Sequence, residues 1–180
     1  MDVTVFGGSL PKPGDKAYED ALQLGRLLGS AGHTVLTGGY IGTMEAVSRG
    51  ARQAGGYVVG VTCDQIEQWR LVAPNPWINE ERRYPTIRKR LFALIEDCDA
   101  ALALPGGVGT LAEISVMWSH MQTNSISTRP LVLIGNGWRT FIESFYFSLG
   151  DYISEQYREL LGFAPDVESA VEHLHSILGD

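Results

Sequence analysis

Residues with the spacing of an anion site lie in one short segment, Pro-Gly-Gly-Val-Gly-Thr-Leu-Ala-Glu. Gly106, Gly107 and Gly109 predict a turn that side chains would block, and Thr110 is expected to open a helix. Amide groups at a helix N-terminus point outward and the helix dipole adds positive potential, so the turn is suited to hold a phosphate. Glu113 follows within about one helical turn, near the sugar of a nucleotide held there.

A carboxylate in that place suits the hydrolysis of an N-glycosidic bond. The reaction passes through an oxocarbenium-like state, which a carboxylate stabilises, and a carboxylate can also take a proton from the attacking water. A competing interpretation needs no ligand: Thr110 and Glu113 also have the spacing of a capping box, in which the Glu side chain folds back onto the Thr amide. A capping box does not require three glycines in four positions.

The elements that must position these residues alternate between strand and helix patterns. Ala100–Leu104 is an apolar run typical of a strand buried on both faces of a parallel sheet, and Pro105 ends it. Residues 63–77 predict an excursion or lid. Other strands are expected at 3–8, 34–37, 57–61, 130–134 and near 161–164, and helices at 16–31, 43–55, 110–121, 138–149, after Pro85, and from 165 to about 178.

This alternation predicts one α/β domain over residues 1–180, Rossmann-like and doubly wound, with a mainly parallel sheet and helices on both faces. Ligands of such sheets bind beyond the carboxyl ends of the strands. Three glycine clusters follow strands there, namely Gly7-Gly8, Gly38-Gly39 and Gly106-Gly107. They predict close approach of the backbone to a nucleotide, although three ordinary tight turns would give the same pattern.

Composition narrows the function further. The chain has 180 residues, 44% of them hydrophobic and 19% charged, and its net charge of −7 argues against nucleic acid as the main partner. It contains no P-loop, no G-x-G-x-x-G and no H-E-x-x-H, so we expect neither a dinucleotide cofactor nor a metal. Cys63 and Cys98 have no metal or redox spacing, and no apolar run approaches the roughly 20 residues of a membrane span. We therefore expect a cytoplasmic protein with no membrane partner.

The glycine-rich segment matches P-G-G-x-G-T-x-x-E of the Lonely Guy (LOG) proteins, the group long mislabelled "lysine decarboxylase". A second family motif, G-G-G-x-x-G-L-M-G, is similar to Thr-Gly-Gly-Tyr-Ile-Gly-Thr-Met-Glu at 37–45, and Phe6–Ser9 resembles the opening F-C-G-S. Trp118 and Asn136–Trp138 also have counterparts, so the resemblance covers most of the chain. It implies hydrolysis of a cytokinin riboside 5′-monophosphate, or of AMP, to a free base and ribose 5-phosphate.

The chain departs from the family in the helix before Pro105. The family carries M-H-E-R-K there, with a catalytic arginine, whereas this chain has Ile-Arg-Lys-Arg-Leu at 87–91. Arg90 keeps the position of the arginine and is expected to bind phosphate oxygens as a planar fork or to orient Glu113. The chain is also similar to the molybdenum cofactor carrier proteins, towards which residues 42–51 lean. A non-catalytic carrier of a phosphorylated ligand therefore stays open beside the enzyme.

Residues and resemblance together predict the site. Catalysis is assigned to Arg90 and Glu113, phosphate binding to Gly106, Gly107, Gly109 and Thr110, and contacts with base and ribose to Gly8, Ser9, Gly38, Gly39 and Met44. Met44 is equally typical of core packing.

A homodimer is expected as well, because family members pair through two helices that carry more apolar surface here than one sheet face needs. The apolar residues are Ile87, Leu91 and Leu94 on one helix and Ile114, Met117, Trp118 and Met121 on the other.

Overall fold

A computed structural model describes residues 1–178, and its centre is one sheet of seven strands. All six neighbouring pairs of strands are parallel, and the spatial order is β4-β3-β2-β1-β5-β6-β7. The strands are β1 (Asp2–Phe6), β2 (Thr34–Thr37), β3 (Tyr57–Cys63), β4 (Glu80–Tyr84), β5 (Ala100–Ala103), β6 (Leu131–Ile134) and β7 (Gly162–Ala164).

Helices cover both faces of this sheet, as the sequence predicts for a doubly wound fold. One core packs α1, α2 and α8 against the sheet, and the other packs α4, α5 and α6 against the opposite face. The helices are α1 (Lys16–Ser30), α2 (Thr43–Gln53), α3 (Asp64–Trp69), α4 (Ile87–Glu96), α5 (Val108–Gln122), α6 (Asn136–Leu149), α7 (Glu155–Arg158) and α8 (Val167–Leu178), with a 3₁₀ turn at Gly150–Tyr152. No helix in the described range is long and apolar enough to cross a bilayer.

The strand order reverses between β1 and β5, which is the point where sheets of this kind hold their ligands. From β1 the chain builds β2, β3 and β4 to one side and then returns to β5 on the other side, so the segments that follow β1 and β5 lead to helices on opposite faces of the sheet. The loop after β1 is fixed by α2, where the amide and hydroxyl of Thr43 donate to the carbonyl of Gly8 at 2.9 and 3.0 Å. The segment after β5 is fixed by α6, where the indole of Trp138 donates to the carbonyl of Leu104 at 3.0 Å.

The structure corrects the sequence prediction at several boundaries. The predicted excursion at 63–77 contains the short helix α3, and the strand β4 that follows it was not expected. Thr110 does not open α5, which begins at Val108 with Gly107 as its N-cap. Pro85 precedes the first turn of α4, which is capped by the hydroxyl of Thr86, and α6 begins at Asn136 rather than at position 138.

Candidate functional site

A cleft of about 720 Å³ opens at the carboxyl ends of β1 and β5. Its floor is formed by the loop after β1 and by the glycine turn that leads into α5, and α3 with the residues after it forms the opposite wall. The cleft thus lies where the strand order predicts a ligand. It is lined by Gly7, Gly8, Ser9, Leu10, Pro11, Tyr40, Met44, Ile66, Trp69, Arg70, Val72, Arg90, Glu113 and residues 105–110.

The glycine turn is open on the side of the cleft. A Cβ on Gly106 would lie 2.1 Å from the Thr110 hydroxyl, so Gly106 is required by packing within the protein. A Cβ on Gly107 or Gly109 would meet nothing within 4 Å, and neither glycine has a positive φ. Neither packing nor conformation therefore demands glycine at these two positions, which leaves room for a ligand to approach the backbone.

The N-terminus of α5 faces this open space. The amides of an initial helical turn have no acceptor within the helix, and they carry the positive end of the helix dipole. The N-cap Gly107 supplies no side chain to satisfy them. An anion in the cleft would accept hydrogen bonds from this turn.

The capping-box interpretation of Thr110 and Glu113 is wrong. The N-cap of α5 is Gly107, with no side-chain capping bond, and Thr110 is buried as the third residue of the helix. The carboxylate of Glu113 instead lies 4.0 Å from a guanidinium nitrogen of Arg90, with 13% of its side chain exposed. Glu113 therefore faces the cleft and its arginine, not the helix terminus.

Arg90 is fixed by the backbone around it. Its Nε donates to the carbonyl of Val61 at 2.7 Å and its Nη2 to the carbonyl of Gly38 at 3.2 Å. The Tyr40 ring lies 5.8 Å from the guanidinium carbon. Of the two roles expected for Arg90, these contacts favour orientation of Glu113 over a free fork for phosphate, because much of the guanidinium is already engaged.

Burial raises the pKa of Glu113 from an ordinary 4.5 to about 7, while the positive charge of Arg90 opposes that rise. The carboxyl group therefore titrates near neutral pH rather than in the acidic range of an exposed carboxyl. A group poised in this way can accept or donate a proton within the physiological range. Burial also raises the pKa of Tyr40, another lining residue, to about 12, so Tyr40 stays a neutral hydrogen-bonding group.

Gly38 and Gly39 lie behind the cleft and are not among its lining residues. A Cβ on Gly38 would lie 2.0 Å from Nη2 of Arg90 and 2.5 Å from the sulfur of Met44, so Gly38 makes room for these two side chains. Gly39 has a φ of +77°, where only glycine is free of strain. Met44 does line the cleft, as do Gly8 and Ser9, so the structure brings most of the predicted residues together.

Sequence patterns missed the opposite wall of the cleft. Ile66, Trp69, Arg70 and Val72 all belong to the segment expected as an excursion or lid, and they line the cleft. Adjacent Trp and Arg residues in that segment are the one feature that marks it as more than a linker. In the part of the chain that the structure describes, no group of three or more His, Cys, Asp or Glu is placed to hold a metal ion.

The fold and the cleft together define a doubly wound α/β protein with a candidate ligand site at the carboxyl edge of its parallel sheet. Comparison with known families is consistent with this class: residues 44–174 match the family described as "Possible lysine decarboxylase". The chain belongs to that family, and the LOG resemblance of its motifs is confirmed.

Two proteins of known name are similar to this chain in sequence. A probable cytokinin riboside 5′-monophosphate phosphoribohydrolase of rice (Oryza sativa subsp. japonica) is 33% identical over 162 residues, which are 87% of this chain and 61% of the rice protein. The chain thus spans about three-fifths of that relative's length. The cytokinin riboside 5′-monophosphate phosphoribohydrolase of Rhodococcoides fascians is 28% identical over 97% of this chain and 89% of that protein.

A solved structure confirms the fold. The molybdenum cofactor binding protein of Rippkaea orientalis superposes with a TM-score of 0.77, covering 98% of this chain and 96% of that one. Its sequence identity is 22%, so this likeness concerns the architecture alone.

Proposed function

We propose that the protein hydrolyses the N-glycosidic bond of a nucleoside 5′-monophosphate such as AMP, releasing the free base and ribose 5-phosphate. The observation that carries this proposal is the position of Glu113, a carboxyl with a pKa of about 7 that faces the same cleft as an open glycine turn at a helix N-terminus. The names of the rice and Rhodococcoides relatives support the same reaction.

The reaction follows from the arrangement of the cleft. The phosphate accepts hydrogen bonds from the amides of the first turn of α5, which places the ribose towards Glu113. The bond between the anomeric carbon and the base nitrogen breaks, and its electron pair leaves with the base, which takes up a proton from solvent. The proton that Glu113 gains in the next step returns to solvent, so the cycle is balanced. Water adds to the anomeric carbon and gives up a proton, which the Glu113 carboxylate accepts, and the same negative charge stabilises the oxocarbenium-like state.

Arg90 serves this reaction as a positioning residue. Its bonds to the carbonyls of Val61 and Gly38 hold the guanidinium in place, 4.0 Å from Glu113. The positive charge keeps the pKa of the buried carboxyl from rising further, so an ionised fraction remains at neutral pH.

The test compares the wild-type protein with Glu113→Gln. Gln keeps the shape of the side chain and removes its charge, so we expect AMP binding to persist and adenine release to be lost. Release is measured by chromatography of the reaction mixture and binding by calorimetric titration. Normal turnover in the variant would remove Glu113 from the mechanism.

The alternative function is a non-catalytic carrier of a phosphorylated ligand such as molybdenum cofactor. The observation in its favour is the loss of the M-H-E-R-K pattern at 87–91. The structure weakens this argument, because two of the altered positions, Arg88 and Lys89, are exposed and line a separate depression on α4. Of the five residues 87–91, Arg90 alone lines the cleft. Tight AMP binding without turnover in the wild-type protein would favour the carrier.

Two further features belong to the proposal. We place the protein in the cytoplasm, because Cys63 and Cys98 are both buried free thiols, which persist in a reducing compartment. We also propose that the functional unit is a homodimer.

A further inference from the structure

Arg70 stands at the mouth of the cleft, directly after α3. Its Nη1 donates to the hydroxyl of Ser9 at 2.9 Å, and its guanidinium carbon lies 4.8 Å from the centre of the Trp69 ring. Within residues 1–178 no carboxylate lies within 4 Å of this guanidinium. The cleft therefore contains a positive charge that no acidic side chain of the described chain neutralises at close range.

Ser9 connects this charge to the glycine turn. Ser9 follows Gly8, and a Cβ placed on Gly8 would lie 3.5 Å from the Cα of Gly106. Arg70 is bonded to Ser9 across 61 positions of sequence, so a guanidinium from the far wall reaches the loop that adjoins the turn. A planar fork in this place suits the recognition of a phosphate.

The segment that carries Arg70 is held in position on two sides. Glu67 of α3 accepts a hydrogen bond from Tyr40 at 3.2 Å and forms an ion pair with Arg83 of β4 at 2.7 Å. Beyond Arg70, the amide of Asn75 donates to the carbonyl of Gly39 at 2.8 Å. The wall is therefore part of the fold, and Arg70 reaches Ser9, in the loop beside the glycine turn, without rearrangement of the backbone.

The charges in the cleft show why a second arginine is needed. A phosphate monoester carries about −1.5 to −2 charges at neutral pH, and a helix N-terminus offers about half a positive charge. Arg90 contributes less, because backbone carbonyls occupy its Nε and Nη2 and the ionised fraction of Glu113 offsets part of its charge at 4.0 Å. Arg70 is the other arginine among the lining residues.

We infer that Arg70 binds the phosphate group of the ligand held at the glycine turn, and thereby selects phosphorylated ligands over nucleosides. This inference rests on the proposed nucleotide site but not on the reaction. In the bound state the guanidinium keeps its stack on Trp69 and turns its hydrogen-bonding edge from Ser9 to the phosphate oxygens.

The experiment measures binding of AMP and of adenosine to the wild-type protein and to Arg70→Ala by calorimetric titration. We expect AMP affinity to fall by about tenfold to a hundredfold, as for a lost charge-assisted contact, while adenosine affinity stays unchanged. Arg70→Gln serves as a second variant if alanine impairs folding. Arg139→Ala is the matched control, because Arg139 also stacks on an aromatic ring, at 4.9 Å from Phe163, but lies outside the lining of the cleft.

The outcomes separate this inference from the proposed reaction. Equal losses of affinity for AMP and adenosine would show that Arg70 only supports the wall of the cleft, and would overturn the inference. Wild-type protein that binds AMP no more tightly than adenosine, or binds neither, would overturn it as well. If the wild-type protein binds AMP through Arg70 but releases no adenine, the hydrolase proposal fails and the inference stands. Where turnover is seen, Arg70→Ala should raise KM and leave kcat unchanged, and the reverse would contradict it.

Discussion

At the scale of single residues, the site depends on a carboxylic acid whose environment opposes ionisation. Glu113 is buried, which favours the neutral acid, and its opposing charge is a guanidinium at 4.0 Å that is anchored to two backbone carbonyls. A longer or looser arginine contact would leave the pKa higher still. The pair therefore holds the pKa of the carboxyl near the pH at which proton transfer is useful, and burial of the ionised form lowers the stability of the fold.

That cost is predicted to be measurable as a function of pH. The pKa of Glu113 is about 7 in the folded protein against 4.5 for an exposed carboxyl, so the folded state binds a proton that the unfolded state releases between these values. The stabilising contribution of the neutral acid is complete below about pH 4.5 and is lost as pH rises through about 7, with a total on the order of 3 kcal/mol.

Glu113→Gln is neutral at every pH and escapes this loss. We therefore expect the variant to be more stable than the wild-type protein at about pH 8 and equally stable at about pH 4, as measured by urea unfolding at the two values. Glu143→Gln, at a largely exposed position on α6, is the control and should show no such divergence. A variant that is less stable than the wild-type protein at the higher pH would contradict the raised pKa.

At the scale of elements, the glycines of the turn before α5 divide into two kinds. Gly106 lacks room for a Cβ because of Thr110, whereas Gly107 and Gly109 have open space before them. The first kind serves packing and the second leaves the helix end accessible. Substitution of each kind should therefore affect a different measurement.

We predict that Gly106→Ala lowers the free energy of unfolding by about 1–3 kcal/mol, the usual cost of overpacking. Gly109→Ala should leave stability unchanged or slightly raised, since Ala is the better helix former, but should weaken AMP binding by about tenfold. Thermal unfolding and calorimetric titration of both variants provide the comparison. Unaltered AMP affinity in Gly109→Ala would mean that the phosphate does not lie at this turn.

The buried strands and the glycine turn could be predicted from sequence because their signals are local. β5 is an unbroken apolar run, and the turn after it carries three glycines in four residues. β4 escaped prediction because it is an edge strand of sequence Glu-Glu-Arg-Arg-Tyr, held by pairing with β3 and by ion pairs such as Arg83 with Asp64 at 2.7 Å. Charged residues on an edge strand carry no hydrophobic period.

Arg70 escaped prediction for another reason. Its place in the site depends on a contact with Ser9, 61 residues earlier, and on the anchoring of α3 by Arg83 of β4. The helix start at Val108 was also missed, because Thr110 and Glu113 have the spacing of a capping box. In the structure Glu113 pairs with Arg90 instead, and the local sequence does not show where Arg90 lies. Contacts between distant segments decide both cases, and local patterns do not contain them.

At the scale of the whole molecule, much of the apolar surface on which the dimer was predicted serves the core of one chain. Leu94, Ile114, Met117 and Met121 are at most 2% exposed and pack against the sheet. Ile87 at the start of α4 remains 50% exposed. Leu91 and Trp118 are partly buried against the same core, so Ile87 is the exposed residue among those on which the dimer was predicted. The dimer stays a prediction, and we expect its contact at the start of α4.

We predict that light scattering at micromolar protein gives about twice the 19.7 kDa mass of one chain, since twofold pairing is the commonest oligomer. Ile87→Glu should reduce the mass to that of a single chain, because the introduced carboxylate would be desolvated when the two chains associate. Phe147→Glu is the control, at a 93% exposed aromatic residue near the end of α6, and should leave the dimer intact. Loss of the dimer in Phe147→Glu alone would move the interface to α6, and a wild-type mass of one chain would refute the dimer.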